Sequence, residues 1–143
     1  MKTKKSSLAE ALRRAHAALL DDLRKLEQAT RPAGGDGAAD LRARLRLTRA
    51  HLAEHFRFEE QDGYLDPVRQ REPRLERTIA RLAGEHRWLV HSLKLLIREA
   101  GDTITSEGIG KRIRAWVRSV RRHEAEERDL VQDAFNTDIG TKD

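Results

Sequence analysis

Apolar residues recur at alternating steps of three and four in four separate stretches, the spacing of one buried helix face. The first stretch runs Ala9, Leu12, His16, Leu19, Leu23, Leu26, and the second Leu41, Leu45, Thr48, Leu52, His55, Glu59. The third is Leu75, Ile79, Leu82, His86, Leu89, Leu93, Leu96, and the fourth Ile109, Ile113, Trp116, Val120, His123, Glu127, Leu130, Ala134. No run alternates with the period of two that a half-buried strand requires. The pattern predicts four helices of roughly 22 to 29 residues. Short connections make neighbours antiparallel, so the fold class is all-α, an antiparallel up-down-up-down four-helix bundle.

Boundary residues agree with the periods. Ser7 with Glu10 fits a capping box at the first helix, and Pro32, Gly34, Gly35 and Gly37 punctuate the loop after it. Asp36 or Asp40 is placed to cap the second helix, Gly63 and Pro67 to end it, and Pro73 to sit in the first turn of the third. Gly101 suits the far end of that helix, and Thr105 or Ser106 the cap of the fourth. The 143 residues are read as a single domain, 1–143, with a short basic N-terminal tail (1–6) and a polar C-terminal tail (136–143).

Composition narrows the chemistry. The chain has no cysteine, which excludes disulfides, thiolate metal sites and cysteine nucleophiles. A net charge of +5 leaves a polyanionic partner conceivable. The basic opening is interrupted by Glu10, Arg13 and Arg14 before an export signal could form, and no stretch approaches the ~18 apolar residues of a membrane span. The expectation is a soluble cytoplasmic protein with no membrane partner.

The polar members of the four stretches are the informative residues. They are Thr48, four histidines, one per helix (His16, His55, His86, His123), and two glutamates, with no Lys or Arg. Glu59 follows His55 by four and Glu127 follows His123 by four, so each pair shares one helix face. When alternate helices reverse direction, all these groups fall roughly 7 to 18 Å from the same end of the bundle. An ionised carboxylate in a low-dielectric interior costs several kcal/mol unless compensated, and the seam offers no cation of its own. Four imidazoles with two bridging-capable carboxylates favour iron or a mixed binuclear centre, and iron is the choice made here.

At H-F-R-F-E-E (His55 to Glu60) and H-E-A-E-E (His123 to Glu127), with single histidines at His16 and His86, the chain resembles the hemerythrin-like (HHE) cation-binding family. The resemblance spans all four helices. It implies a four-helix bundle around a non-haem di-iron centre, oxo- or hydroxo-bridged, with His16, His55, His86 and His123 as terminal ligands and Glu59 and Glu127 as carboxylate bridges. Two positions depart from the oxygen-carrying pattern. Val90 stands where those proteins have a second histidine of H-x-x-x-H, and the last element is H-x-x-x-E with Arg128 at the fifth place, which puts reversible oxygen carriage in doubt. If each iron is six-coordinate, about two of about twelve positions stay open for dioxygen, nitric oxide, peroxide or water.

The remaining candidates are weighed against simpler readings. His51, one turn before His55, is read as a polar rim residue, with replacement of the missing fifth histidine as the alternative, and His91 as surface. No histidine has a glutamate three before it, which excludes the ferritin-like E-x-x-H motif. Glu127 occupies the place of the second histidine in H-E-x-x-H, which excludes a zinc protease. Gly108-Ile109-Gly110-Lys111 is read as a turn rather than a phosphate loop. Lys111, Arg114, Arg118 and Arg121 are read as a solvated face, because Glu124, Glu126 and Asp129 lie just beyond, and no nucleic-acid partner is expected. Trp116 is expected to roof the site, with Phe56 and Phe58 flanking the His55–Glu59 pair.

Function is expected to follow from an open metal position. The first reading is a di-iron protein that binds or senses dioxygen, nitric oxide or iron. The alternatives are a di-iron redox enzyme acting on peroxide or oxygen in oxidative-stress protection or iron-centre repair, and a metal-free helical interaction module.

Overall fold

The computed structural model describes residues 4–31, 37–61, 65–102 and 107–135. Four long helices occupy them: α1 (Lys4–Ala29), α2 (Gly37–Gln61), α4 (Glu76–Asp102) and α5 (Glu107–Phe135), of 26, 25, 27 and 29 residues. A short helix α3 (Leu65–Arg71) and a 3-10 turn (Pro73–Leu75) lie between α2 and α4. The long helices form a ring in which α2 packs on α1 and α4, and α5 closes it against α4 and α1. The protein is thus an all-α four-helix bundle, and the described residues contain no strand. No helix among them is long and apolar enough to cross a membrane.

Several boundaries differ from the sequence reading. α1 starts at Lys4, so Ser7 lies inside it rather than capping it, and Asp40 sits in the first turn of α2 rather than before it. Pro67 does not end α2. It belongs to the first turn of α3, where a missing N–H breaks no intrahelical bond. Pro73 opens the 3-10 turn that leads into α4. Gly108 to Lys111, read as a turn, are helical residues at the start of α5. Asp36, Gly63, Thr105 and Ser106 lie outside the described residues.

The apolar core falls into two clusters. The larger contains Leu19, Leu23 and Leu26 of α1, Leu45, Leu52 and Phe56 of α2, Leu89 and Leu93 of α4, and Ile113, Trp116 and Val120 of α5. The smaller holds Leu12, Leu75, Ile79, Leu82, Leu130 and Val131, closed by Leu65 and Val68 of α3. On every long helix the histidine of the seam falls between these clusters, or at their border, so the polar residues form one layer across the bundle. The four histidines thus lie at a common depth in the bundle, as the spacing predicts.

Candidate metal centre

The six residues singled out by spacing converge in that layer. His16, His55, His86 and His123 are buried, and Glu59 and Glu127 have no solvent exposure. A seventh group joins them. Glu124, read from the sequence as part of a solvated face, is only 4% exposed, and its Oε1 lies 3.0 Å from His16 Nε2 and 3.1 Å from His55 Nε2. In the structure α5 buries adjacent pairs every seven residues, at Trp116/Val117, His123/Glu124 and Leu130/Val131. α5 packs against α1, α3 and α4, so its buried arc is wider than a one-residue seam.

The two carboxylates expected to bridge are each turned with one oxygen to either side. Glu59 presents Oε2 to His55 Nε2 at 2.9 Å and Oε1 to His86 Nε2 at 3.2 Å. Glu127 presents Oε2 to His86 and His123 Nε2 at 2.8 and 2.9 Å, and Oε1 toward His16 Nε2 at 3.8 Å. The donors therefore divide into two groups able to hold a metal ion, one of His16, His55, Glu59, Glu124 and Glu127, the other of Glu59, His86, His123 and Glu127. Within each group the donor atoms lie within 4.8 Å of one another, and Glu59 and Glu127 belong to both.

Outer carboxylates fix the imidazoles. Nδ1 of His86 donates to Glu60 Oε2 at 2.6 Å, and Nδ1 of His123 to Glu85 Oε1 at 2.7 Å. A proton held at Nδ1 leaves Nε2 as the nitrogen that can ligate, and such partners orient metal-binding imidazoles. Arg81 bridges Glu85 and Glu126 at 2.9 and 3.0 Å, anchoring the outer acid to the surface. Spacing along one helix does not reveal the roles of Glu60 and Glu85, because each serves a histidine on another helix.

Without a cation the layer is electrostatically unsettled. Neither oxygen of Glu59 has a hydrogen-bond partner, nor has Glu124 Oε2, although both groups are buried. Burial opposes charging the imidazoles, but the surrounding carboxylates outweigh it. They push His16 up to about 11, through Glu124, Glu127 and Glu59, and His55 and His86 up to about 10. His123 is raised as well, chiefly by Glu127 against the same burial. Glu127 is held well below the usual carboxylate range: burial opposes its charge, and His123, His16 and His86 overcome that cost. A site that tolerates buried acids only by holding protons against them is chemically suited to divalent cations.

Phe56, not Trp116, forms the apolar wall. Its ring stacks on His86 at 3.9 Å with planes 7° apart and meets His55 and His123 at 5.7 and 5.6 Å. Trp116 lies seven residues, about 10 Å of helix, before His123 and spends its indole N–H on the Leu89 carbonyl at 3.0 Å. Phe58 is half-buried and lines a cleft of about 480 Å³ between α1 and α2 that also reaches His55 and His51. A second cleft, of about 460 Å³ between α4 and α5, is lined by Glu85, Trp88, Arg122 and His123.

His51 stays at the rim, exposed and bonded through Nδ1 to Asp22 Oδ2 at 2.8 Å, outside both donor groups. His91 is exposed. In the basic stripe, Arg121 pairs with Glu27 at 2.7 Å and Arg114 donates to Thr30 at 3.0 Å, while Lys111 and Arg118 are exposed.

A four-helix bundle with a buried His/Glu layer able to hold metal defines a metal-binding bundle protein. The family model of the hemerythrin HHE cation binding domain matches residues 7–135, and the chain belongs to that family. Comparison with curated proteins and with solved structures returned no match.

Proposed function

We propose that this protein holds two iron ions in the His/Glu layer and acts by binding or sensing dioxygen, nitric oxide or iron through an open coordination position. The observation that carries this reading is the pair of shared carboxylates, Glu59 and Glu127, each offering one oxygen to either donor group. When bound, the ions supply Lewis acidity, one-electron redox capacity and a place for a small ligand. The chain's own residues do the rest. His16, His55, His86 and His123 present Nε2 inward, Glu60 and Glu85 hold the outer protons of His86 and His123, and Phe56 packs an apolar ring against three of the imidazoles. A small-molecule ligand in a cytoplasmic setting, with neither membrane nor nucleic acid as partner, belongs to the same reading.

The test is metal content after anaerobic Fe(II) reconstitution, followed by absorption spectra on exposure to oxygen and then peroxide. About two irons per chain and one stoichiometric spectral change are expected. Sustained peroxide or oxygen consumption at catalytic iron ratios would assign the site to a redox enzyme instead. Failure to bind iron, with no shift in melting temperature, would leave a metal-free interaction module.

A further inference from the structure

The two donor groups are not equivalent, and the residue that separates them is Glu124. It touches His16 and His55 at 3.0 and 3.1 Å and belongs to the first group alone. The first position is thus surrounded by two imidazoles and three carboxylates, the second, at His86 and His123, by two imidazoles and two carboxylates that it must share. Glu124 is 4% exposed, and its Oε2 has no hydrogen-bond partner, so a carboxylate oxygen is held in the interior without a donor. An extra anionic donor raises the affinity of an oxygen-rich site for a divalent ion, through charge and through ligand number.

We propose that Glu124 makes the position at His16 and His55 the tightly held metal site and leaves the position at His86 and His123 as the exchangeable one. The inference rests on the metal-binding reading above. Loading is ordered: the first ion settles between α1, α2 and α5, and the second is gained and lost as metal supply changes. Each position has one histidine on a cleft, His55 on that between α1 and α2 and His123 on that between α4 and α5, so the extra carboxylate and not access from solvent separates them.

The experiment is anaerobic Fe(II) titration by equilibrium dialysis, with the rate of iron extraction by a chelator, on the wild type, Glu124→Gln and His123→Ala. Repulsion between two cations would separate the binding steps even of a symmetric pair, so the decisive result is which variant removes which step. Glu124→Gln, nearly isosteric, is expected to weaken the tight step by about 10-fold or more through loss of an anionic donor, so that both ions become rapidly extractable. His123→Ala is expected to abolish the weak step and keep one slowly extracted iron. Helicity and melting of the metal-free variants verify that both remain folded. Unchanged binding in Glu124→Gln, loss of the weak step instead of the tight one, or loss of the tight step in His123→Ala overturns the proposal while leaving the metal centre intact. A wild type that binds no iron overturns both.

Discussion

Metal loading should expel protons from the layer, in a number that the geometry bounds. His86 and His123 each face carboxylate oxygens at both ring nitrogens, Nδ1 at 2.6 and 2.7 Å and Nε2 at 2.8 and 2.9 Å. An ionised carboxylate cannot donate, so each of these rings carries two protons when no metal is present. His16 and His55, raised to about 11 and about 10, add up to two more. Ligation through Nε2 therefore releases between two and four protons per fully loaded chain near neutral pH. Each proton is worth about 1.4 kcal/mol per pH unit, so the total loading free energy should strengthen by about 3 to 6 kcal/mol from pH 6.5 to 7.5. The sign follows from the raised values: the rings stay protonated until pH approaches 10 to 11, so metal gains as pH rises and the dependence fades above that range. Calorimetric titration with redox-silent Zn(II) in buffers of different ionisation enthalpy counts the protons directly. Release of fewer than one proton per loaded chain would refute the argument, because neutral imidazoles would then be facing the carboxylates.

The same raised values make the metal-free bundle pH-sensitive. The histidine contribution is complete below about pH 6.5 and is lost as pH rises through 10 to 11, which urea titrations at pH 7 and pH 10.5 should register as a fall in stability. Glu59→Ala or Glu127→Ala should abolish two-ion loading yet leave the metal-free bundle folded, since the imidazoles can surrender a proton when one acid goes. A metal-free variant melting far below wild type would contradict this. Phe56→Ala should cost about 3 to 5 kcal/mol in chemical denaturation and Phe56→Leu less than about 1.5, because Phe56 is buried against three imidazoles. His51→Ala and His91→Ala should both retain full iron stoichiometry by elemental analysis; a loss in either would enlarge the donor set.

Much of this arrangement was legible because helical bundles write their seams at steps of three and four. Polar residues in such a seam, His16 through Glu127, stand out against Leu and Ile, and direction reversal fixes their common depth. The sequence was less readable where burial depends on neighbours rather than on period. Glu124 is buried because three elements crowd α5, and Glu60 and Glu85 matter because they reach across to other helices. The helix α3, seven residues with Leu65 and Val68 buried, is too short to display a period, and Pro67 read alone looked like a terminator. Trp116 shared the seam with His123, yet about 10 Å of helix rise separates the two, and the indole N–H is bonded to the Leu89 carbonyl.

The polar layer also divides the apolar interior into a larger part and a smaller one. In the metal-free protein these halves are joined through ion pairs instead of interlocking hydrocarbon, so the smaller half, with α3 and the adjoining helix ends, should open on its own before global unfolding. Ions held by all four long helices would rivet the halves together, and amides near Leu12, Leu82 and Leu130 would then exchange with deuterium only through unfolding of the whole chain. Occupancy of the centre would thus be registered at the end of the bundle, as slower exchange there.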